Sequence, residues 1–420
     1  MKGMVTKMAN ASNAVPNRKN LRTQPADRRK QITSSGVSKG YHEKIAVGPM
    51  DFPFFIITMI LLVMGIIMMF SAGYAWAIAK GNKGTNYVSH QLIMAVVGLI
   101  GMFFASFFDY HWFRKPIIAY GLYAFCAVLL VLCLVGPFKY DQGGSFRWVK
   151  FGKLIFQPSE IMKFSIIVLF SYLISVNYSK MKYFKYGIVP FMLFLGIVAG
   201  LMMMETHLSG TIIICAIGVI MMFVGGSRFK HLFVLLILAL GALALVMFVL
   251  IEVKGVGYFE KRILSWTDPF NPETSQDDTW QTRNSLIAIG SGGLFGLGLG
   301  NSRQKFLYLP EAQNDFVFAV VCEELGFVGA IMVIILFLLF IFRGLYIASK
   351  APDKFGMMLA VGLTVQIGLQ ALLNIAVVTN TIPNTGVSLP FFSYGGTALV
   401  MQLVQMGIIL NISRQSIIET

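Results

Sequence analysis

Ten apolar stretches, near 53–76, 88–108, 116–136, 160–177, 186–204, 208–225, 230–252, 315–342, 355–378 and 396–412, recur along this chain, and nothing constrains its fold more. Most approach the ~20 residues that an α-helix needs to cross the hydrocarbon core of a bilayer. A helix satisfies all its own backbone donors and acceptors there, which irregular chain cannot do. The pattern predicts an all-α integral membrane protein with about ten transmembrane helices. A water-soluble globular fold is excluded, because 56% of the residues are hydrophobic and only 13% are charged, about half the charged share of soluble domains. The first stretch is too long for a signal-peptide core and follows a polar segment, so it is expected to be retained as a span.

The net charge of +15 does not point to nucleic acid, because the basic residues sit in residues 1–47 and in short loops between apolar runs. With the N-terminus inside, Arg114/Lys115, Lys180/Lys182/Lys185, Arg228/Lys230, Arg343/Lys350/Lys354 and Arg414 all become cytoplasmic, as the positive-inside rule demands. Both termini are then cytoplasmic. Residues 1–47 read as a disordered basic tail that touches anionic membrane lipids, and 48–413 as one multi-pass membrane domain. Cys126, Cys133, Cys215 and Cys322 lie inside apolar runs with no CxxC spacing and read as small core residues. No inverted repeat of the kind common in secondary transporters is evident.

Three segments fall on the outer side. Residues 137–157 carry Lys139, Arg147, Lys150 and Lys153 against the positive-inside rule, so these cations need another reason to exist. Residues 254–314, between helices 7 and 8, form an extracytoplasmic loop too long for a simple connector, with an acidic stretch (Thr267 to Trp280) and a glycine-dense one (Gly290 to Gly300). Residues 380–396 hold two prolines and several small residues and read as a re-entrant turn, which survives at membrane depth only when buried in protein or lining a wet cavity.

The candidate chemistry sits in and beside these segments. Glu160 and Lys163 are three residues apart behind Pro158, on one face of a helix end; ionisable groups at that depth are costly and hence either functional or a structural ion pair. Glu323 and Glu324 point about 100° apart, so one is expected to face protein and the other water, unless both are structural. His207 is a ligand, an acid/base group or a polar helix terminus. Asp268, Glu273, Asp277 and Asp278 are either a solvated polar loop or a source of one carboxylate beside fixed cations. The latter suits a reaction in which a hydroxyl loses a proton while a pyrophosphate leaves.

Taken together, Arg147-Trp148, Gln157-Pro158-Ser159-Glu160 with Lys163, Tyr308-Leu309-Pro310-Glu311 through Asp315-Phe316-Val317-Phe318-Ala319, Glu323-Glu324-Leu325-Gly326, and Thr385-Gly386-Val387-Ser388-Leu389-Pro390-Phe391-Phe392-Ser393-Tyr394-Gly395-Gly396 resemble the signature of the SEDS family (shape, elongation, division and sporulation). The glycine-dense run and Ser302-Arg303-Gln304-Lys305 look closer to its FtsW- and SpoVE-like division and sporulation branch than to the RodA-like elongation branch. The resemblance implies a ten-helix peptidoglycan glycosyltransferase of the bacterial cytoplasmic membrane. Its active site would be extracytoplasmic, polymerising lipid II into β-1,4 glycan strands with inversion and release of undecaprenyl pyrophosphate. It also implies a single-pass class B penicillin-binding protein as partner, in wall synthesis for cell division, sporulation or cell shape. By the same resemblance Arg147, Glu160 and Lys163 belong to a polar substrate-binding cavity, and His207, Glu311 and Ser393 are further substrate-binding candidates. Arg147 and Lys163 would hold phosphate oxygens, and Glu160 would orient Lys163 or help hold a divalent cation, Mg or Mn.

Two departures from the family pattern stand out. Thr206-His207-Leu208-Ser209-Gly210 replaces a Pro-Asp-Leu-Gly turn. The catalytic aspartate expected in the large loop falls at Pro272 counting from Asp268, or at Thr274 counting back from Trp280, and neither side chain is a base. A neighbouring carboxylate must substitute, Asp277 or Asp278 first, with Glu273 or Asp268 behind them. Two other functions stay open on sequence alone: a lipid II flippase using the polar residues as a headgroup path, and a non-enzymatic scaffold that activates the penicillin-binding protein.

Overall fold

The computed structural model describes residues 48–135, 139–142, 145–152, 154–205, 207–235, 237, 241, 266–270 and 276–416, with the backbone alone at 139–142, 145–146, 151, 154 and 276–278. The expected tail, 1–47, and most of the seventh apolar stretch, 230–252, lie outside the described residues. The chain is a multi-pass helical protein. Its main helices are α1 (Phe52–Ala79), α2 (Asn86–Phe107), α3 (Pro116–Leu134), α4 (Pro158–Asn177), α5 (Val189–Met204), α6 (Leu208–Val224), α7 (Gln276–Ser291), α8 (Val317–Ser349), α9 (Lys354–Val378) and α10 (Gly396–Arg414). Eight of the expected stretches form helices long and apolar enough to span a membrane, and the sixth is α6, an apolar helix of 17 residues.

Local chemistry fixes the helix ends. Asp51 caps α1 by accepting from the Phe54 N–H at 2.9 Å, with Pro53 in the first turn, and the Arg343 side chain closes on the same carboxylate at 2.8 Å. Asp353 caps α9 through the Gly356 N–H at 2.9 Å while accepting from the Tyr110 hydroxyl at 2.8 Å. These contacts tie together the helix ends opposite those that carry the site.

The core is built around α4 and α9. In its most apolar window α4 is 78% buried against 22% for α2, so α4 is enclosed by protein while α2 lies at the edge of the bundle. Two features depart from a simple bundle. Between α3 and α4 lies a small antiparallel sheet of β1 (Lys139–Gln142), β2 (Ser145–Phe151) and β3 (Leu154–Phe156), in the order β1-β2-β3 with Val149 facing both Lys139 and Phe156. The expectation of an all-α chain is refined to that extent. The second departure is α7, a polar helix in the long segment between the seventh and eighth apolar stretches.

The re-entrant turn is deep. A Cβ at Gly65, midway along the 28-residue α1, would strike the Phe391 carbonyl, so the irregular backbone of 385–395 reaches the middle of a span. Leu389, Phe391 and Phe392 are each at most 2% exposed there. α8 breaks at Gly326 (φ 68°, ψ −168°), where a Cβ would collide with the Gly296 amide and the Leu294 carbonyl. Gly326→Ala is expected to lower stability by about 1–3 kcal/mol from backbone strain alone, read as a lower unfolding temperature in detergent; an unchanged temperature would contradict the close approach.

Candidate functional site

A cavity of about 480 Å³ opens where the C-terminal end of α1, the sheet, the start of α4, the α5–α6 turn, the segment before α8 and the re-entrant turn converge. All six residues of the expected substrate-binding set, Arg147, Glu160, Lys163, His207, Glu311 and Ser393, line it. Chain order scatters them over 247 positions, from 147 to 393. The fold brings them to one place because each sits at a helix end, in a turn or, for Arg147, on β2, all on the same side of the bundle.

Each side chain is held by its own local structure. Pro158 opens α4, which puts Glu160 and Lys163 on its first turns; Lys163 Nζ lies 2.8 Å from both carboxylate oxygens of Glu160, and the residues are 3% and 6% exposed. β2 carries Arg147 to the cavity and buries its neighbour Val149 completely. Burial lowers the Arg147 pKa, against the opposing pull of Asp315 and Glu205, and a guanidinium stays charged in proteins regardless.

The α5–α6 turn contributes two titratable groups. Burial pushes the Glu205 carboxyl up to about 8, with Arg147 pulling the other way. His207 is pushed down to about 3 by burial and by the positive charges of Arg147 and Lys163, so it meets any ligand as a neutral imidazole. It stands at the N-terminus of α6, as the helix-terminus reading expects, and is 8% exposed in the cavity wall.

The segment before α8 is tightly wound. Glu311 sits at φ 53°, a left-handed conformation uncommon for a residue with a side chain, and its carboxylate accepts from Asn314 Nδ2. Ser393 donates to the Asn314 carbonyl and accepts from the Leu389 N–H at 2.7 Å. Asn374 Nδ2 donates to the carbonyls of Asp315 and Val387 at 2.7 and 2.6 Å. The two longest sequence motifs are thereby stapled to each other and to α9, and the Ser393 hydroxyl is committed to that staple.

The three expected acid/base candidates fare differently. Asp268 is exposed and lies outside the cavity lining. Asp277 and Asp278 belong to the first turn of α7, but their side chains lie outside the described residues, as does Glu273. One turn further on, Gln281 accepts from Asn384 Nδ2 at 2.8 Å, and Asn384 in turn accepts from the Gly386 N–H of the cavity wall at 3.2 Å. The start of α7 is therefore tied to the cavity rim.

Glu323 and Glu324 are not part of the cavity lining, and the expectation that one of them faces water is corrected: both are fully buried. Their carboxylates gather the glycine-rich loop, Glu323 accepting from the Arg303 N–H at 2.9 Å and Glu324 from the Gly300 N–H at 3.0 Å, the Ser71 hydroxyl at 2.6 Å and Lys305 Nζ at 2.9 Å. Sequence reasoning passed over Lys80 and Asp315, both of which line the cavity. Lys80 was detectable as a cation just past a span on the side where the charge rule disfavours one. Asp315 lay inside a quoted motif with nothing in its own neighbourhood to single it out.

Among the described residues no three His, Cys, Asp or Glu side chains come close enough to share a metal, and both Glu160 oxygens are committed to Lys163.

Residues 52–417 match the model of a family described as cell cycle protein, which groups FtsW, RodA and SpoVE. Stage V sporulation protein E of Bacillus subtilis (strain 168) is 40% identical over 364 residues, covering 86% of this chain and 96% of that one. A probable peptidoglycan glycosyltransferase FtsW of Geobacter sp. (strain M18) is 34% identical over 354 residues, covering 84% and 94%. The fold is shared, at a TM-score of 0.69 and 23% identity over 87% of this chain and 98% of the other, with a chain solved in a study of structural coordination of polymerization and crosslinking by a peptidoglycan synthase complex.

Proposed function

This chain belongs to the FtsW, RodA and SpoVE family of cell cycle proteins, and from that membership we propose that it is a peptidoglycan glycosyltransferase that polymerises lipid II into β-1,4 glycan strands. The observation that carries the reading is the cavity itself, where Arg147 and Lys163, two fixed cations, share a wall with several carboxylates. Cations positioned before the reaction stabilise the charge that develops on a departing pyrophosphate without waiting for solvent to reorganise. The Glu160 carboxylate holds Lys163 in place for that task, and Ser393 and Glu311 shape the wall by fixing the turns on which they sit.

In the proposed step the C4 hydroxyl of the acceptor sugar attacks the anomeric carbon of the donor from the face opposite the pyrophosphate, so the configuration inverts. The hydroxyl proton passes to a carboxylate. The loop supplies Asp277 and Asp278, at the start of α7 beside the cavity rim, as candidates for it, with Asp268 less well placed. The cavity faces the extracytoplasmic side of the bacterial cytoplasmic membrane, as the distribution of basic loops favours. The partner is a single-pass class B penicillin-binding protein that crosslinks the new strands; the shared fold with a chain of a peptidoglycan synthase complex supports that pairing. Similarity to a sporulation protein and to FtsW proteins favours wall synthesis at division or sporulation.

The test is purified lipid II incubated with the purified protein and its cognate penicillin-binding protein, the transpeptidase blocked by a β-lactam. Glycan strands longer than the dimer are expected. Lipid II moved across vesicle bilayers with no strands formed would replace the reading by transport, and neither activity would leave a scaffold.

A further inference from the structure

Three carboxylates line the cavity, and two of them are already engaged by the protein. Glu160 is paired with Lys163 through both oxygens, and Glu311 accepts from Asn314. The third is Asp315. Among the described residues its carboxylate accepts no hydrogen bond, although its own carbonyl is held by Asn374 at 2.7 Å. The backbone is fixed and the side chain is left available. An added Cβ at Gly386 would come within 3.1 Å of Asp315 Oδ2, so a side chain there would crowd this oxygen.

Resting on the glycosyltransferase reading, we infer that Asp315 is the general base of the transfer. In this step the acceptor O–H proton goes to the Asp315 carboxylate and the new C1–O4 bond forms. The bond between C1 and the pyrophosphate oxygen breaks, and the electron pair leaves on undecaprenyl pyrophosphate beside Arg147 and Lys163. The large loop gives an independent reason: both registers of the expected aspartate fall on residues that cannot accept a proton, Pro272 and Thr274. A base already fixed in the cavity wall makes that loss tolerable.

The proton affinity suits the task. Burial, reinforced by the negative charge of Glu311 and opposed by Arg147, pushes Asp315 up to about 6, close enough to neutral pH for a carboxylate to be both ionised and basic. The other ionisable groups around the cavity are Glu311 on the same segment, Arg147 on β2, Glu160 and Lys163 on α4, His207 and Glu205 at the α5–α6 turn, Lys80 after α1 and Tyr394 before α10. His207, pushed down to about 3, stays neutral across the range in which Asp315 titrates.

The experiment compares wild type, Asp315→Asn and Asp315→Glu with their penicillin-binding protein, measuring strand formation against pH and lipid II binding by titration. Wild-type kcat should fall as the pH drops through about 6. Asp315→Asn should lose about a hundredfold or more in kcat while binding lipid II as wild type does. Asp315→Glu should recover part of the rate with a displaced pH midpoint. Asp315→Asn within about threefold of wild type, or a loss of lipid II binding that accounts for the lost rate, would overturn the assignment. No strands from the wild type would instead remove the glycosyltransferase reading on which it rests.

Discussion

Lys163→Met is expected to cut the rate of lipid II polymerisation by about a hundred- to a thousandfold, the usual effect of removing one preorganised donor from a developing negative charge. The ammonium group lies 2.8 Å from Glu160 and is 3% exposed, so it is desolvated and fixed in direction, which makes it worth more to a phosphate oxygen than a mobile surface lysine. The same substitution also leaves Glu160 buried without its counter-charge, and breaking a buried pair costs roughly 3–5 kcal/mol of stability. A second variant separates the two effects. Glu160→Gln/Lys163→Met removes both charges and should regain most of the lost stability, because two neutral partners no longer strand a buried ion. It should remain inactive. If polymerisation returns with stability, Lys163 is a structural residue and the leaving group is held elsewhere. Thermal unfolding in detergent and strand length on gels decide between these outcomes.

The spans were legible because hydropathy is a property of each residue and needs no partner; a run of about twenty apolar side chains has few other fates. Arg147, Glu160 and Lys163 were legible for the opposite reason, each being a charge where the bilayer or the orientation rule makes charge expensive. The sheet left a trace that was not taken up. Phe146, Arg147 and Trp148 alternate aromatic with charged, and Arg147 shares its parity with the apolar Val149 and Phe151, a short mixed run that fits a strand with two different faces. α7 left less, since its sequence from Gln276 to Ser291 is mostly polar and it leans on 378–384 through Ser285 and Gln281 rather than through an apolar stripe. Asp315 and the glutamate pair could not be separated in advance. Whether a carboxylate is satisfied or available depends on where a loop some twenty residues away folds back, as 300–304 does onto Glu323 and Glu324.

That loop gives the other large effect. Glu324→Ala should destabilise the protein by about 3–5 kcal/mol, since it strands Lys305 as an uncompensated buried charge. Lys305 is 3% exposed, and without Glu324 its Nζ keeps the Ser71 hydroxyl at 2.9 Å and the Gly300 carbonyl, neither of which carries a charge. The Gly300 and Ser302 N–H groups lose their acceptor as well. Glu324→Gln keeps an acceptor oxygen and should lie between Glu324→Ala and wild type, and Glu324→Gln/Lys305→Met should be more stable than either single change because no charge is left unpaired. Activity should follow the folded fraction in all of these variants. Neither Glu324 nor Lys305 lines the cavity, and their reach to it runs through the chain from Lys305 to Asp315. A Glu324→Gln protein that unfolds like the wild type yet makes no strands would place this glutamate in the chemistry rather than in the framework that carries it.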